Sequence, residues 1–497
     1  MSNKQYRPWA PEQAYLLPPD PKTWLSDDHL ALFVLELVRD LDLRPIERAI
    51  HAKDPRGERP YDPRMMVALW LYAYAVGVHS SRRVARAIVE RVDFRVIAGD
   101  NRPVWTTLGR FRKNHREAFK HLFVEVLRLC DRMGLVGLGH VAIDGTKVKA
   151  DASKHKAMSY DRMTREEARL AEEIEALLAA SDAVDEEETV RFGDGDGGLG
   201  VPSELKRRQD RLARIRQARE ALEKEAAEER AETLRQNAAN KRIAADARPN
   251  PSDPMARSLH TKADRDEQRA EELDGGDDGP DDPPPPTTLP RSKVKPDRAG
   301  RPKPKTQNNF TDSDSRIMRG RDGGFIQAFN AQAAVDDEHL VIVAADVTNQ
   351  AADNHAFGPM LHQTRANLGR LPEHATGDCG YWSLESVESA EALGVQALIP
   401  LGRTKRWVPG VGERERPPPP DADARQAMEH RMATEAARRV YRERCKTVEP
   451  VFGNIKEVGG FRQFSFRGLR AVAAEWMLVC TAHNLLKAWR AGPLPPA

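Results

Sequence analysis

Apolar positions fall into three regimes along the chain. From residue 26 to 134 they recur at helical spacing. Ser26 and Asp27 precede Leu30, Phe33, Leu37 and Leu41, and Pro63 opens a stretch with Met66, Leu69, Trp70 and Tyr74 that ends at Gly77. SRRVARAIVER follows from Ser81, and Thr106–Gly134 continues with Phe119, Phe123, Val126 and Leu127 on one side. Such spacing, with capping Ser/Asp and a first-turn proline, predicts helices. After 134 the pattern changes to short apolar runs. Val141–Ile143, Phe325–Val335, His339–Val347 and Gln396–Pro400 read as strands, Pro372–Asp378 as an extended segment. Asn354–Leu368, Ser383–Leu393 and the region from Asp423 read as helices.

The third regime lies between. Thr164-x-x-Glu167 is a capping box, followed by thin stripes at Leu170, Ile174, Leu177 and Leu178, then at Leu205, Leu212, Ile215 and Leu222 beyond the turn at Gly193–Gly200. Dense charge with so few apolar residues predicts a long exposed helical hairpin. Residues 248–306 are low in complexity: an acidic block at Asp274–Asp282, the run Pro283–Pro286, then lysines among prolines. That composition predicts a disordered tether. The chain therefore reads as an α+β multidomain protein. Its parts are an N-terminal helical domain (1–134), the first strands of a second domain (135–159), an insert (160–306) and the remainder of the second domain (307–490).

Composition narrows function little. The chain has 497 residues with 78 Lys and Arg against 76 Asp and Glu, so any nucleic-acid surface must come from local segregation of charge. The four cysteines, Cys130, Cys379, Cys445 and Cys480, form no CxxC pair or zinc spacing and read as reduced thiols. No apolar run approaches a membrane span, and the N-terminus lacks the apolar core of a signal peptide, so a soluble cytoplasmic protein is expected.

Three carboxylates carry candidate chemistry. Asp144 ends the Val141–Ile143 run ahead of Gly145, Asp378 ends the second extended segment, and Glu449 lies in a late helix just before Pro450. An Asp-Gly pair after a strand also suits a hairpin turn, and Asp151 and Asp346 are rival carboxylates. The three converge only if their strands pair side by side. Basic residues cluster at Arg82, Arg83 and Arg86 after the Gly77 turn, the pattern of a helix-turn-helix or of an ordinary bundle with a solvated face. Arg110, Arg112, Lys113 and His115 form a second cluster that could meet phosphate or water.

Several segments carry a resemblance in order: PYDPRMMVALWLYAYAVGVHSSRRV and TTLGRFR, then VAIDGTKVKADAS, QNNFTDSDSRIMRGRDGGFIQAFNAQAAVDDEHLVIVAADVTNQAAD, TGDCGYWS and YRERCKTVEPVFGNIK. The chain resembles DDE transposases of bacterial insertion sequences, in the branch with a ribonuclease H-like catalytic domain and a Tyr/Arg/Glu/Lys signature. The resemblance implies a mixed sheet with flanking helices, interrupted by the insert, and DNA cleavage followed by strand transfer. Asp144, Asp378 and Glu449 would be the catalytic residues and would hold two Mg²⁺ ions, with Mn²⁺ as a substitute. Such ions suit carboxylates and phosphate oxygens and need no His or Cys set. Tyr441, Arg444 and Lys456 would hold DNA, with Arg82, Arg83 and Arg86 contributing from the N-terminal domain. One spacing departs from the family: four residues separate Arg444 from Glu449 where the signature has three. The implied partner is double-stranded DNA, both terminal inverted repeats and target, bound by a homodimer that is nucleoid-associated when on DNA. A structure-selective nuclease of the same fold and a catalytically idle DNA-binding derivative are the alternatives.

Overall fold

The computed structural model describes residues 20–52, 59–192, 203–248, 253–274, 288–320, 322–402 and 422–495, with the helix path alone for 180–192. The Gly193–Gly200 turn, most of the acidic block, the Pro283–Pro286 and Pro417–Pro420 runs and the basic loop Arg403–Trp407 lie outside these residues.

Seven helices come first: α1 (Leu30–Asp40), α2 (Arg44–His51), α3 (Pro63–Ala75), α4 (Ser81–Glu90), α5 (Val92–Ala98), α6 (Trp105–Asn114) and α7 (Arg116–Arg132). Asp62 caps α3 by accepting from the Arg64 amide at 2.7 Å, with Pro63 in the first turn where its missing N–H costs nothing. The helix expected over Thr106–Gly134 is two. The chain leaves helical geometry at His115 (φ −109°, ψ 22°), whose buried ring lies 4.7 Å from Phe111.

Strand β1 (His140–Lys149) leads to β2 (Ala157–Ser159) and the insert helices α8 (Tyr160–Phe192), α9 (Ser203–Asp246) and α10 (Pro254–Asp274). The chain returns through β3 (Gln307–Asn309), which pairs with β2, then β4 (Arg316–Arg319), β5 (Phe325–Asp336), β6 (Ile342–Thr348), α11 (Phe357–Leu368), β7 (His374–Thr376), α12 (Leu384–Ala392) and β8 (Gln396–Leu398). It ends with α13 (Ala424–Ala433), α14 (Glu435–Gly453) and α15 (Leu469–Ala491).

The disordered tether expected from 248 is corrected in part. Residues 254–274 form α10, packed along α9 with Ala256, Ala263 and Ala270 buried. Alanines seven apart let two helix backbones approach closely, yet their low hydrophobicity hides the contact face from a pattern of large apolar residues. On the return path Leu289 and Val294 are buried, and Asp346, one of the rival carboxylates, accepts from the Thr288 amide and hydroxyl at 2.7 and 2.8 Å.

The main sheet has the order β4-β5-β1-β7-β8, with β6 also on β5. β5 is antiparallel to β1 and β6, whereas β7 runs parallel to β1 and β8 parallel to β7. An antiparallel part made of β6, β4, β5 and β1 beside the two parallel strands β7 and β8, with helices on the faces, is a ribonuclease H-like sheet. Beneath it runs α15, buried without interruption from Ala471 to Leu485 and packed on β6, α3 and α7. A helix apolar on every side needs cover on every side. The N-terminal helices supply that cover, so one hydrophobic core extends from Leu30 to Ala488. The change of character at 134 is a change in sequence with no break in packing.

Candidate active site

Asp144 is not at a strand tip. β1 runs on to Lys149 because β5 stays paired with it throughout, Asp144 facing Ala333 and Lys149 facing Ala328. What stops is the parallel partner: β7 pairs only over His140–Ala142 with His374–Thr376. Asp144 and Asp378 each lie two residues beyond the last paired residue of their strands, Ala142 and Thr376. The same register that joins β1 to β7 thus brings both carboxylates to one opening, where side chains reach solvent from a rigid backbone. Asp378 caps a short turn by accepting from the Gly380 amide at 2.7 Å.

The surroundings of Asp144 are crowded with like charge. Burial pushes its carboxyl up to about 6, and Asp378 and Asp353 push the same way, against the Arg444 guanidinium and the Gly145 amide. Arg444, only 8% exposed, reaches Asp144 Oδ2 at 3.4 Å from Nη1. Arg444 therefore faces the Asp144 carboxylate, with the half-buried Tyr441 beside it. Asp353 is a residue that pattern reading missed. It accepts from Asn330 Nδ2 at 2.6 Å, Gln332 Nε2 at 2.7 Å and Lys147 Nζ at 3.2 Å. Tyr381 donates to Gln332 Oε1, completing a polar layer below the opening. A signal for it was present: Asn330 and Gln332 are polar at alternate positions of an otherwise apolar strand, and both are fully buried.

Gly145 makes room for this layer. A Cβ there would sit 2.3 Å from Gln332 Nε2, 2.7 Å from Asp353 Oδ1 and 2.9 Å from Asn330 Oδ1. Asn330 Oδ1 is itself buried without a hydrogen-bond partner. The donors suit a hard divalent cation in kind, since all are oxygens and the mutual repulsion at Asp144 is what a cation relieves. Among the described residues no three acidic, His or Cys side chains are already gathered closely enough to hold one.

Glu449 comes from α14, which continues through Pro450 and passes into a wider, π-type turn at Asn454–Val458. Such turns recur at functional sites. Glu449 is exposed and lines a cavity of about 840 Å³ with Lys147, Lys149, Arg319, Lys456 and Arg462, opposed by Asp322 and Glu457. Lys456 donates to Thr146 Oγ1 and, at 3.1 Å, to the Lys147 carbonyl, tying the helix to β1. Glu449 and Lys456 thus share one cleft, next to the Asp144–Asp378 opening through Gly145.

The N-terminal candidates lie elsewhere. Arg82, Arg83 and Arg86 are exposed on α4; Arg82 stacks over Trp105 at 4.6 Å and Arg86 pairs with Glu90 at 2.7 Å. Arg112, from the second basic cluster, does not face water. It is buried against Glu475 at 3.5 Å, between the rings of Trp70 and Phe466 at 4.4 Å each. The rival Asp151 is held by Arg467 at 2.9 Å.

The sheet order, with acidic side chains at the end of its parallel pair, is the ribonuclease H-like arrangement. Family comparison goes further. A transposase DDE domain matches residues 302–485 and a transposase domain (DUF772) matches residues 20–114, together more than half of the chain. Neither curated proteins nor solved structures match it. The chain belongs to the DDE transposases of insertion sequences, DNA-cleaving enzymes that bind DNA and generally use divalent metal. The DDE match includes Asp378 and Glu449 and begins at residue 302, near the end of the insert, so Asp144 lies outside it. No helix among the described residues is long and apolar enough to cross a membrane.

Proposed function

We propose that this transposase binds the terminal inverted repeats of its element, cuts them with Mg²⁺ or Mn²⁺ and joins the freed ends to target DNA. Asp144, Asp378 and Glu449 would hold the metal. The observation that carries this reading is the β1–β7 register, which sets Asp144 and Asp378 at equivalent positions on adjacent strands, beside the cleft that Glu449 lines. Divalent ions bound there would offset the charge that develops on attacking and leaving oxygens. The chain's own residues do the rest. Lys149, Arg319, Lys456 and Arg462 present positive charge along the cleft and attract the phosphate backbone. Arg444 keeps the buried Asp144 carboxylate ionised and oriented before DNA arrives. Tyr441 lies beside Arg444 and would hold DNA next to it.

The exposed face of α4, with Arg82, Arg83 and Arg86, would read the element's ends, because clustered carboxylates repel phosphate and DNA must be held by other surfaces. Two ends cut in concert would require a homodimer on DNA. The reading is tested with Asp144→Ala, Asp378→Ala and Glu449→Ala proteins and Mg²⁺-dependent nicking of terminal-repeat duplex. Each should lose nicking by a factor on the order of 10³ or more while still binding the duplex. A variant that nicks at the wild-type rate removes that residue from the site. Loss of binding on Arg82/Arg83/Arg86→Ala, with a shallower salt dependence, tests α4 separately.

A further inference from the structure

We propose that the helical insert carries a second site for the DNA backbone, a basic groove where α9 passes β2. This deepens the transposase reading and rests on it. The groove encloses about 640 Å³, and Lys156, Arg162, Lys206, Arg207, Arg211 and Arg214 line it, with Asp210 as its acidic side chain. All six cations are exposed. On α9 they recur at helical spacing, Lys206 and Arg207 followed by Arg211 and Arg214, so they stand along one face. Met158 and Ile215 form an apolar floor, which holds the cations at the rim.

Elsewhere along the insert many of the cations are paired with neighbouring carboxylates. Arg169 pairs with Glu166 and Glu173, Arg216 and Arg219 with Glu167, Lys241 with Asp266, Arg242 with Glu267, and Lys293 with Glu229. Within the groove, Arg211 meets Glu166 at 2.7 Å. Lys156, Lys206, Arg207 and Arg214 have no carboxylate within ion-pair distance among the described residues. A solvated helix needs no such segregation. Six cations against one acidic side chain around a single groove create a local positive field, and a polyanion is the ligand such a field selects.

The groove also lies along the path from the active cleft. Lys149 lines the cleft and Lys156 the groove, on the segment joining β1 to β2. Phe310 and Thr311 line the groove and Arg319 the cleft, on the segment joining β3 to β4. The two segments are bonded across, the Asn309 side-chain amide donating to the Ser153 carbonyl at 2.9 Å and the Phe310 amide to the Lys156 carbonyl at 3.2 Å. A duplex seated in the cleft can therefore continue over this junction onto α9. Its phosphates would meet cations at both places.

The test uses the full-length protein. A Lys206→Gln/Arg207→Gln/Arg214→Gln variant keeps helix propensity while removing the unmatched charge. Lys241→Gln/Arg242→Gln, at matched positions of the same helix, is its control. Binding to mixed-sequence duplex DNA is measured across salt concentrations, and nicking of terminal-repeat duplex is measured separately. The groove variant should bind on the order of tenfold more weakly near 0.15 M salt, with a shallower salt slope, whereas the control binds as wild type does. Circular dichroism and melting check that both variants are folded, and Arg207→Gln alone should retain part of the effect. Wild-type affinity and slope in the groove variant overturn the proposal while leaving the transposase reading intact, provided wild type nicks. An equal loss in the control variant overturns it too, as does a loss confined to single-stranded RNA. A wild-type protein that binds no duplex overturns both.

Discussion

Two regions of the molecule bury an arginine against a carboxylate, and they are built to opposite ends. Where α3 meets α15, Glu475 takes Arg112 at 3.5 Å, the Tyr74 hydroxyl at 2.8 Å, the Ser465 hydroxyl at 2.5 Å and the Ser465 amide at 2.8 Å. Arg112 adds the His79 carbonyl at 3.0 Å and two aromatic faces. Apart from Arg112 Nε and the Trp70 indole N–H the polar groups here find partners, so the buried charges are offset from several sides. At the cleft, Arg444 also leaves Nε unpartnered and reaches Asp144 at a similar 3.4 Å, but there two further carboxylates crowd the same opening. The first pair knits the N-terminal helices to the sheet. The second leaves charge uncompensated, as sites that receive a charged ligand do.

The comparison can be broken at either pole. The largest effect is expected for Glu475→Ala, which strands Arg112 in the core. Chemical denaturation should show a loss of about 3–5 kcal/mol. A smaller loss would mean that the network contributes little.

Next is the pH dependence of the same core. His483 on α15 is fully buried and its pKa lies at about 4, chiefly through burial. Its contact with the Leu340 carbonyl at 3.0 Å opposes the shift, and Lys487 and Arg490 add to it. The folded value lies below the unfolded one near 6.5, so the unfolded chain binds the extra proton in that interval. Stability attached to this group is present above pH ~6.5 and lost as pH falls towards ~4, amounting to about 3 kcal/mol. Urea unfolding at several pH values should show that slope, and His483→Asn should flatten it.

At the cleft, Gly145→Ala drives a methyl into Gln332 and Asp353, and a cost of about 1–3 kcal/mol is expected, with loss of nicking. Retained activity would show that the polar layer can shift. The smallest stability effect belongs to Asp144→Asn. Removing one of several crowded carboxylates should leave stability within about 1 kcal/mol of wild type, or raise it, while nicking disappears. A loss as large as that of Glu475→Ala would erase the distinction between the two regions.

Much of this architecture was legible in the chain. Helical spacing located α3 and α4, and apolar runs located β5 and β6, because periodicity records which face an element buries. Pro63 and Ser383 marked helix starts, each through its own backbone chemistry. Asp144, Asp378 and Glu449 stood out as candidates from their local settings and from the family resemblance. The extent of β1 was not, since whether a strand continues past an Asp-Gly pair depends on the partner strand. Nor was α10, whose alanine face carries too little hydrophobicity to register.

Sequence by itself determined the elements, their order and the kinds of chemistry available to each. Tertiary structure alone decided which cation met which anion. Arg110, Arg112 and Lys113 read as one basic cluster, yet Arg112 is sealed in a core while its neighbours face solvent. Asp353, in the loop after β6, carried no mark in its own segment; its setting comes from Asn330, Gln332 and Lys147 on β5 and β1. The reason is physical. Charge and hydrophobicity belong to a residue, whereas desolvation, pairing and pKa belong to its surroundings, and those are assembled from segments hundreds of positions apart.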